Sequence, residues 1–338
     1  MEPNYHLGGD FRRATKPESI LTWGSKTYIE RMFVNYNITF GEEVSRKKVF
    51  SPLPKGDHPE LDVTEFLDET NKGHYLSMIG ELQWLVTLGR FDIMCAVNAM
   101  SRYRPQPRIG HLDRLKRMYS YLKTYRDTSI KFNTELPDYS MYEKIVKPKD
   151  WGKIYAPCYE EVPVDAPVPK GNFVRHTVFC DANLMHNLVN GKSNVGILHM
   201  INKTPMDWYS RTTSTVETST YGTEFCAARI AVDQIIDFRY TLRMLGVPIM
   251  RDGNKAEGSW LFGDNLSVVN SSTYPGGKLL KRNHILNYHR VREAQACGIC
   301  NFIHMDGNKN PSDILTKYKT SSDWYPLMKP FLFWRELE

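Results

Sequence analysis

Phe173-Val174-Arg175-His176-Thr177-Val178-Phe179-Cys180-Asp181 is the stretch on which the fold turns. Its alternation suits a strand with one face buried and one turned to a site, and it stops at a carboxylate. Downstream, Val195-Gly196-Ile197-Leu198-His199-Met200-Ile201 and Met206-Asp207-Trp208-Tyr209-Ser210 form a hairpin pattern about the polar Asn202-Lys203 turn. Three antiparallel strands are expected. Ala227, Ala228, Ala231, Ile235, Phe238, Leu242 and Leu245 then share a stripe before Gly246 and Pro248, which predicts a helix over 220–245. Trp260-Leu261-Phe262-Gly263 is an apolar run ending at Asp264, as in a buried strand able to pair in parallel. A helix over 284–296, a strand over 299–304 and a helix opening at Asn310-Pro311 complete the order βββαβαβα. The expected class is α/β (α+β), a mixed five-stranded sheet with flanking helices.

Upstream the pattern is mainly helical. Leu7-Gly8-Gly9-Asp10-Phe11-Arg12 and Ile20-Leu21-Thr22-Trp23 read as short strands about the Lys16-Pro17-Glu18-Ser19 turn, and Ser25 as the N-cap of a helix carrying Tyr28, Ile29, Met32 and Phe33. The stretches 51–56 and 60–69 lack periodicity and read as an extended surface linker. Leu76, Ile79, Leu82 and Leu85 mark one helix, and Ile93, Val97 and Met100 a second. A third, over about 110–125, buries Leu112, Leu115, Met118, Tyr119 and Leu122 and displays Arg114, Lys116, Arg117 and Lys123. That basic face is either a solvated surface or a contact for nucleic-acid phosphates. Residues 135–172 hold Pro137, Pro148, Pro157, Pro163, Pro167 and Pro169 with little apolar rhythm. The expected division is 1–134, a Pro-rich linker over 135–172, a second domain over 173–320 and a tail over 321–338.

The 338 residues give room for two domains, and 41% hydrophobic with 12% aromatic content argues against a disordered chain. A formal charge of +6 favours polyanionic partners. Six cysteines without a repeating framework read as reduced intracellular thiols. Met1-Glu2-Pro3-Asn4-Tyr5 has no signal-peptide character, and no apolar run reaches the roughly 18 residues of a membrane span, so no membrane association is expected.

Four carboxylates stand at element ends: Asp181 after the first strand, Glu224 in the first turn of the long helix, Asp264 after the parallel strand and Asp313 opening the last helix. Each has a structural explanation alone. Asp terminates strands, Asp264-Asn265 suits an N-cap, and Asp313 suits an N3 position behind Asn310 and Pro311; Glu224 suits a capping box less well, because Tyr221 stands three before it. Together they lie where α/β folds bind ligands, at the carboxyl ends of strands. Two-metal phosphodiester hydrolysis needs carboxylates from separate elements around ions about 3.5–4 Å apart, and hard oxygen ligands suit Mg²⁺ or Mn²⁺.

Trp208-Tyr209-Ser210-Arg211 through Ser219-Thr220-Tyr221-Gly222-Thr223-Glu224-Phe225, then Phe262-Gly263-Asp264-Asn265 and Pro311-Ser312-Asp313-Ile314-Leu315-Thr316-Lys317, closely resemble the ribonuclease H domain of copia-type LTR retrotransposon Pol polyproteins. Gly191-Lys192-Ser193-Asn194-Val195-Gly196 and Phe179-Cys180-Asp181-Ala182-Asn183 resemble that family's turn and first catalytic strand end. Tyr75-Leu76-Ser77-Met78-Ile79-Gly80, Arg90-Phe91-Asp92-Ile93 and Leu7-Gly8-Gly9-Asp10-Phe11 resemble its reverse transcriptase beyond the palm, in the primer-grip, thumb and connection regions. The resemblance implies an RNase H-like fold and hydrolysis of the RNA strand of RNA–DNA hybrids, with two Mg²⁺ or Mn²⁺ ions on Asp181, Glu224, Asp264 and Asp313. It also implies a polyprotein setting, in the cytoplasm within virus-like particles or in the nucleus. No Asp-Asp dipeptide occurs, so polymerase activity is not expected. The sequence departs from the family at Gly222, usually Glu, at Asn183, often Asp, and at His284-Ile285-Leu286, usually His-Ile-Asp.

Ser193 and Asn265 are candidates for 2′-hydroxyl contacts, and Arg282, His284, Arg114, Lys116 and Arg117 for other nucleic-acid contacts. For His284 the alternative is a packed or surface imidazole. Gly191-Lys192-Ser193 is no phosphate loop, because His186 stands where its first glycine belongs. Cys297-Gly298-Ile299-Cys300 has zinc-like spacing without a second pair and reads as two packed thiols at a turn. The rival functions are a catalytically inactive nucleic-acid-binding protein of the same fold and a recruited protein-interaction module.

Overall fold

A computed structural model describes residues 4–13, 20–146, 149–251 and 255–333. The turn expected at 16–19 lies outside them, as do Pro148 and the last five residues of the expected tail. In chain order the elements are β1 (Tyr5–His6), β2 (Gly9–Arg13), β3 (Leu21–Gly24), α1 (Lys26–Phe40), α2 (Glu69–Thr87), α3 (Met94–Ser101), α4 (Ile109–Thr124), β4 (Ser129–Lys131) and α5 (Ser140–Glu143). There follow β5 (His176–Asn183), β6 (Asn194–Ile201), β7 (Thr204–Thr212), α6 (Thr220–Met244), β8 (Met250–Arg251), β9 (Lys255–Ala256), β10 (Ser259–Gly263), α7 (Leu266–Thr273), α8 (Ile285–Ala296), β11 (Cys300–His304), α9 (Ser321–Met328) and β12 (Leu332–Phe333).

Two compact units emerge, one of residues 1–133, 185–191 and 314–338, the other of 134–184 and 192–313. In the first unit α2, α3 and α4 pack by most of the apolar stripes read from the sequence, with Ile79, Leu82, Leu85, Leu115 and Leu122 buried; Leu76, expected on the α2 stripe, is exposed, and Tyr75 beside it is buried instead. Its sheet runs β1-β2-β3-β4-β12. The expected tail therefore supplies an antiparallel edge strand, Leu332 opposite Ile130, and α9 sets Trp324 edge-on to Tyr121 and Tyr125. At the centre Arg90 is forked onto Asp92 at 2.9 and 2.8 Å, the Tyr121 hydroxyl donates to Asp92 at 2.8 Å, and Arg90 also donates to the Tyr125 carbonyl. The fork suits this fully buried charge, because it satisfies a planar guanidinium and a carboxylate at once.

The basic face of α4 is met from within its own unit. Arg114 is gripped by Asp57 and Asp62, Lys116 reaches Glu42 at 3.1 Å and lies over the Phe40 ring, and Arg117 donates to Ser51. The stretch before Asp68, expected to be a bare surface linker, is thereby tied down: it contains a 3-10 turn, Pro59–Leu61, and its acids are the partners of Arg114.

The second unit is built on the sheet β11-β10-β5-β6-β7. β5, β6 and β7 are antiparallel, while β10 runs parallel to both β5 and β11. The mixed five-stranded sheet expected from sequence is present. Asn202 takes the left-handed conformation at the β6–β7 turn, which Asn tolerates through its short polar side chain. α6 and α8 cover one face through Phe225, Ala228, Ala231, Val232, Val291 and Ala294. Against Trp260, Phe262 and Ile303 lie Tyr139, Tyr142 and Val146. The stretch 135–172, read as a linker, thus belongs to this unit and carries α5: its tyrosines supply apolar area that the proline count concealed, and Tyr139 donates to Thr177 at 3.0 Å. The last expected helix is only a 3-10 turn, Pro311–Leu315, where the Asn310 side chain accepts from the Ser312 amide and hydroxyl and competes with regular helix bonding.

Two imidazoles are sealed in the second unit. His176 Nε2 meets His199 Nδ1 at 3.1 Å, His176 Nδ1 meets the Ser259 hydroxyl at 2.8 Å, and His199 Nε2 meets Gln234 at 3.1 Å, with both rings stacked on Phe238. Burial, followed by the charges of His199 and Arg239, holds His176 well below its ordinary range; burial also lowers His199, opposed by Gln234 and Asp207. Both are depressed in the folded state, so the stability they contribute is present above the unfolded value near 6.5 and is lost as pH falls below it. We predict that the unfolding free energy obtained from urea titrations drops between pH 6.5 and 5, by up to about 1.4 kcal/mol per pH unit for each histidine. The variant His176→Phe/His199→Gln should show a shallower slope, and equal slopes would remove the imidazoles as the cause.

Candidate metal centre

β5 and β10 are neighbours in parallel, with Phe179 opposite Phe262. Asp181 and Asp264 each follow two residues later: Asp264 comes just past β10, whereas Asp181 is still inside β5 opposite Gly196, because pairing with β6 carries the strand on to Asn183, two residues beyond the end expected from sequence. α6 begins near that end of β5: the Ser219 side chain caps it by accepting from the Gly222 amide at 3.3 Å, so the capping-box position falls on Gly222 and Glu224 lies two residues beyond it. Packing of Phe225, Ala227 and Ala228 against the sheet fixes the helix rotation and directs Glu224 inward, where it accepts from the Ala182 amide at 3.3 Å.

Asp181, Glu224 and Asp264 converge, offering one carboxylate oxygen each, all within 4.8 Å of one another. Asp181 is fully buried, Glu224 nearly so and Asp264 half-buried. At an effective dielectric of about 20, two unit charges at that distance repel by roughly 3 to 4 kcal/mol. Three such anions behind a low-dielectric wall call for a compensating charge, and three hard oxygen donors suit a divalent cation of the Mg²⁺ or Mn²⁺ kind. The buried Cys180 thiol registers the field: burial first, then the charges of Glu224, Asp181 and Asp264, push it well above the ordinary thiol range.

Asp313 is not one of the converging three. It is buried on the turn Pro311–Leu315, and Asn310 anchors that turn by donating to the Cys180 carbonyl at 2.8 Å, one residue before Asp181. Asn310 escaped the sequence reading, where it was only a cap. His304 and Gly307 escaped it as well. The His304 ring meets the Asp264 carbonyl at 3.0 Å, and a Cβ on Gly307 would stand 2.8 Å from Asp264 Oδ2. Gly307→Ala should therefore displace that carboxylate and weaken Mn²⁺ binding, measured by calorimetry, roughly 10- to 100-fold with little change in Tm. Unchanged affinity would show that the carboxylate has room to turn.

The remaining candidates are not among the three converging carboxylates. Ser193 is fully buried, its amide donating to Thr213 at 3.2 Å and its hydroxyl 3.4 Å from that of Thr223. Asn265 caps α7 by accepting from the Val268 amide at 3.2 Å. His284 is buried, with Nε2 3.3 Å from Glu217, and the two fill the space above Gly222, where a Cβ would meet His284 at 2.4 Å and Glu217 at 2.9 Å. A side chain at 222 would require His284 and Glu217 to shift. Arg282 is exposed in the 3-10 turn before α8. Arg114, Lys116 and Arg117 belong to the other unit and are engaged there as described. No helix among the described residues is long and apolar enough to cross a membrane.

No protein-family profile matches the chain. It is similar to the retrovirus-related Pol polyprotein from transposon TNT 1-94 of Nicotiana tabacum, 22% identical over 296 residues that make up 86% of this chain and 18% of that protein. It is similar also to that from transposon RE1 of Arabidopsis thaliana, 21% identical over 316 residues, 94% of this chain and 18% of that protein. The chain spans about a fifth of the length of these curated relatives, and the resemblance to copia-type Pol polyproteins carried by the motifs is borne out over most of its length. Among solved structures, the N-terminal RNase H domain of rv2228c from Mycobacterium tuberculosis matches with a TM-score of 0.32 and 12% identity, covering 46% of this chain and 97% of that one. RNase H1 from Halobacterium salinarum matches at 0.30 and 15%, covering 43% and 95%.

Proposed function

We propose that the second unit is a ribonuclease H, hydrolysing the RNA strand of RNA–DNA hybrids with two divalent cations as part of a copia-type Pol polyprotein. The observation that carries the reading is the convergence of Asp181, Glu224 and Asp264 from three separate elements. Similarity to two transposon Pol polyproteins supports it. Divalent cations held there supply Lewis acidity to a scissile phosphate and lower the pKa of water.

The chain's own residues prepare that site. Asp181, Glu224 and Asp264 hold the cations, and we assign Asp313 to the same set, reached from the Asn310-anchored turn. The Ala182 amide orients Glu224, and Gly307 leaves room for the Asp264 carboxylate. Arg282, exposed before α8, is assigned to a backbone phosphate and Asn265 to a ribose hydroxyl. For the first unit the reading is a thumb-like and connection-like grip on the same duplex, without polymerase activity.

A labelled hybrid incubated with the full chain should be cut in its RNA strand with Mg²⁺ or Mn²⁺ and left intact with EDTA, while duplex DNA is spared. Salt-sensitive hybrid binding without cleavage under either metal would replace the nuclease by a catalytically silent nucleic-acid-binding protein.

A further inference from the structure

A hollow of about 370 Å³, mouth included, opens in the first unit. Leu53, Ile314 and Trp324 give it apolar walls, all three buried. Trp324 is fixed by Tyr121 and Tyr125, which meet it edge-on, and by its indole N–H, which donates to the Phe50 carbonyl at 3.1 Å. That size and lining suit a single ring rather than a drug-sized ligand. Binding pockets set a few polar groups into such walls, and here they come from Tyr318, Lys317, Lys319 and Asp92. The Asp92 charge is already answered by the Arg90 fork and the Tyr121 hydroxyl, so the two lysines leave the lining net positive. The Tyr318 hydroxyl is buried and has no hydrogen-bond partner among the described residues. Burial first, then the charge of Cys95, which also lines the hollow, holds it well above the ordinary tyrosine range, so it stays a neutral donor. A buried donor left unpaired costs about 1–3 kcal/mol, which an acceptor brought to it relieves.

We propose that this hollow is a binding site for a small planar aromatic carboxylate. The ring lies against Leu53, Ile314 and Trp324, where it leaves water for apolar surroundings and meets the indole. The carboxylate accepts from the Tyr318 O–H and sits in the field of Lys317 and Lys319. A hydrogen bond to an ionised acceptor is roughly twice as strong as a neutral one, so the anion is favoured over a neutral ring of the same size. A ring carrying a cation meets two ammonium groups and is repelled. The carboxylate cluster belongs to the other unit, and the assignment does not depend on nuclease activity.

Benzoate, benzyl alcohol and benzylamine are titrated into the full chain while its tryptophan indole N–H resonances are followed, the Trp324 line being assigned through its contacts with Tyr121 and Tyr125. Benzoate should move that line saturably, with a Kd of about 1 mM or tighter, and bind roughly tenfold more tightly than either other probe. Tyr318→Phe should weaken benzoate by about tenfold and melt no lower than the parent without ligand, since it deletes a hydroxyl that has no partner. Equal binding of the three probes, saturation that leaves Trp324 unmoved, or no saturation overturns the proposal on the wild-type chain alone, whether or not the variant folds. A folded Tyr318→Phe with the parental benzoate affinity overturns it as well.

Discussion

Asp264→Asn should reduce Mg²⁺-dependent cleavage of an RNA–DNA hybrid by more than ~100-fold while Tm stays within a few degrees. Losing a residue that merely orients a metal ligand already reduces affinity or activity by roughly 10- to 100-fold, and Asp264 is here assigned to the cation itself. The amide keeps the shape of the carboxylate and removes its charge, and the half-buried side chain packs no core. Removing one of three crowded anions also relieves their repulsion, so the variant should be at least as stable as the parent without metal. The measurements are initial cleavage rates and thermal melts with and without Mg²⁺. Cleavage at the parental rate would place the chemistry elsewhere.

Asp92→Asn should destabilise the first unit by about 3 to 5 kcal/mol, because it strips the counter-charge from a guanidinium whose side chain is only 1% exposed. The loss should appear as a fall in Tm of roughly 10 °C. Replacing the whole set, as Arg90→Met/Asp92→Leu/Tyr121→Phe, should recover most of it, since no buried charge then lacks a partner. If the single variant melts within 2 °C of the parent, as a surface pair would with its ~0.2–1 kcal/mol, the buried fork is not what holds this unit.

Strand and helix periods along 173–304 were legible because each element carries its own signal: β5 its alternation, α6 its alanine stripe and closing Gly246, β10 its uninterrupted apolar run. Three of the four carboxylates read at element ends do converge, since parallel pairing of β5 and β10 leaves little freedom in where their ends fall. Long-range partnerships left no local mark. Nothing near Arg114 in sequence announces Asp57 and Asp62, so an internally paired face looked like a free one. Nothing in a proline-spaced stretch announces that Tyr139 and Tyr142 will pack against Phe262. Asn310 looked like a cap because its hydrogen bond to the Cys180 carbonyl spans most of the unit. Gly222 was readable as a departure, but its reason, the space taken by His284 and Glu217, exists only in three dimensions.

The parallel pairing of Thr177 with Trp260 has a consequence in time. Asp181 and the β5–β6–β7 meander can form as soon as their stretch of chain exists, since each strand meets its sequence neighbour. The cation cluster cannot, because Asp264 lies beyond the whole of α6, and closing so long a loop is slow compared with local hairpin formation. On the ribosome, therefore, the meander can be in place while the three carboxylates are still apart, and they come together only once β10 has emerged and docked beside β5.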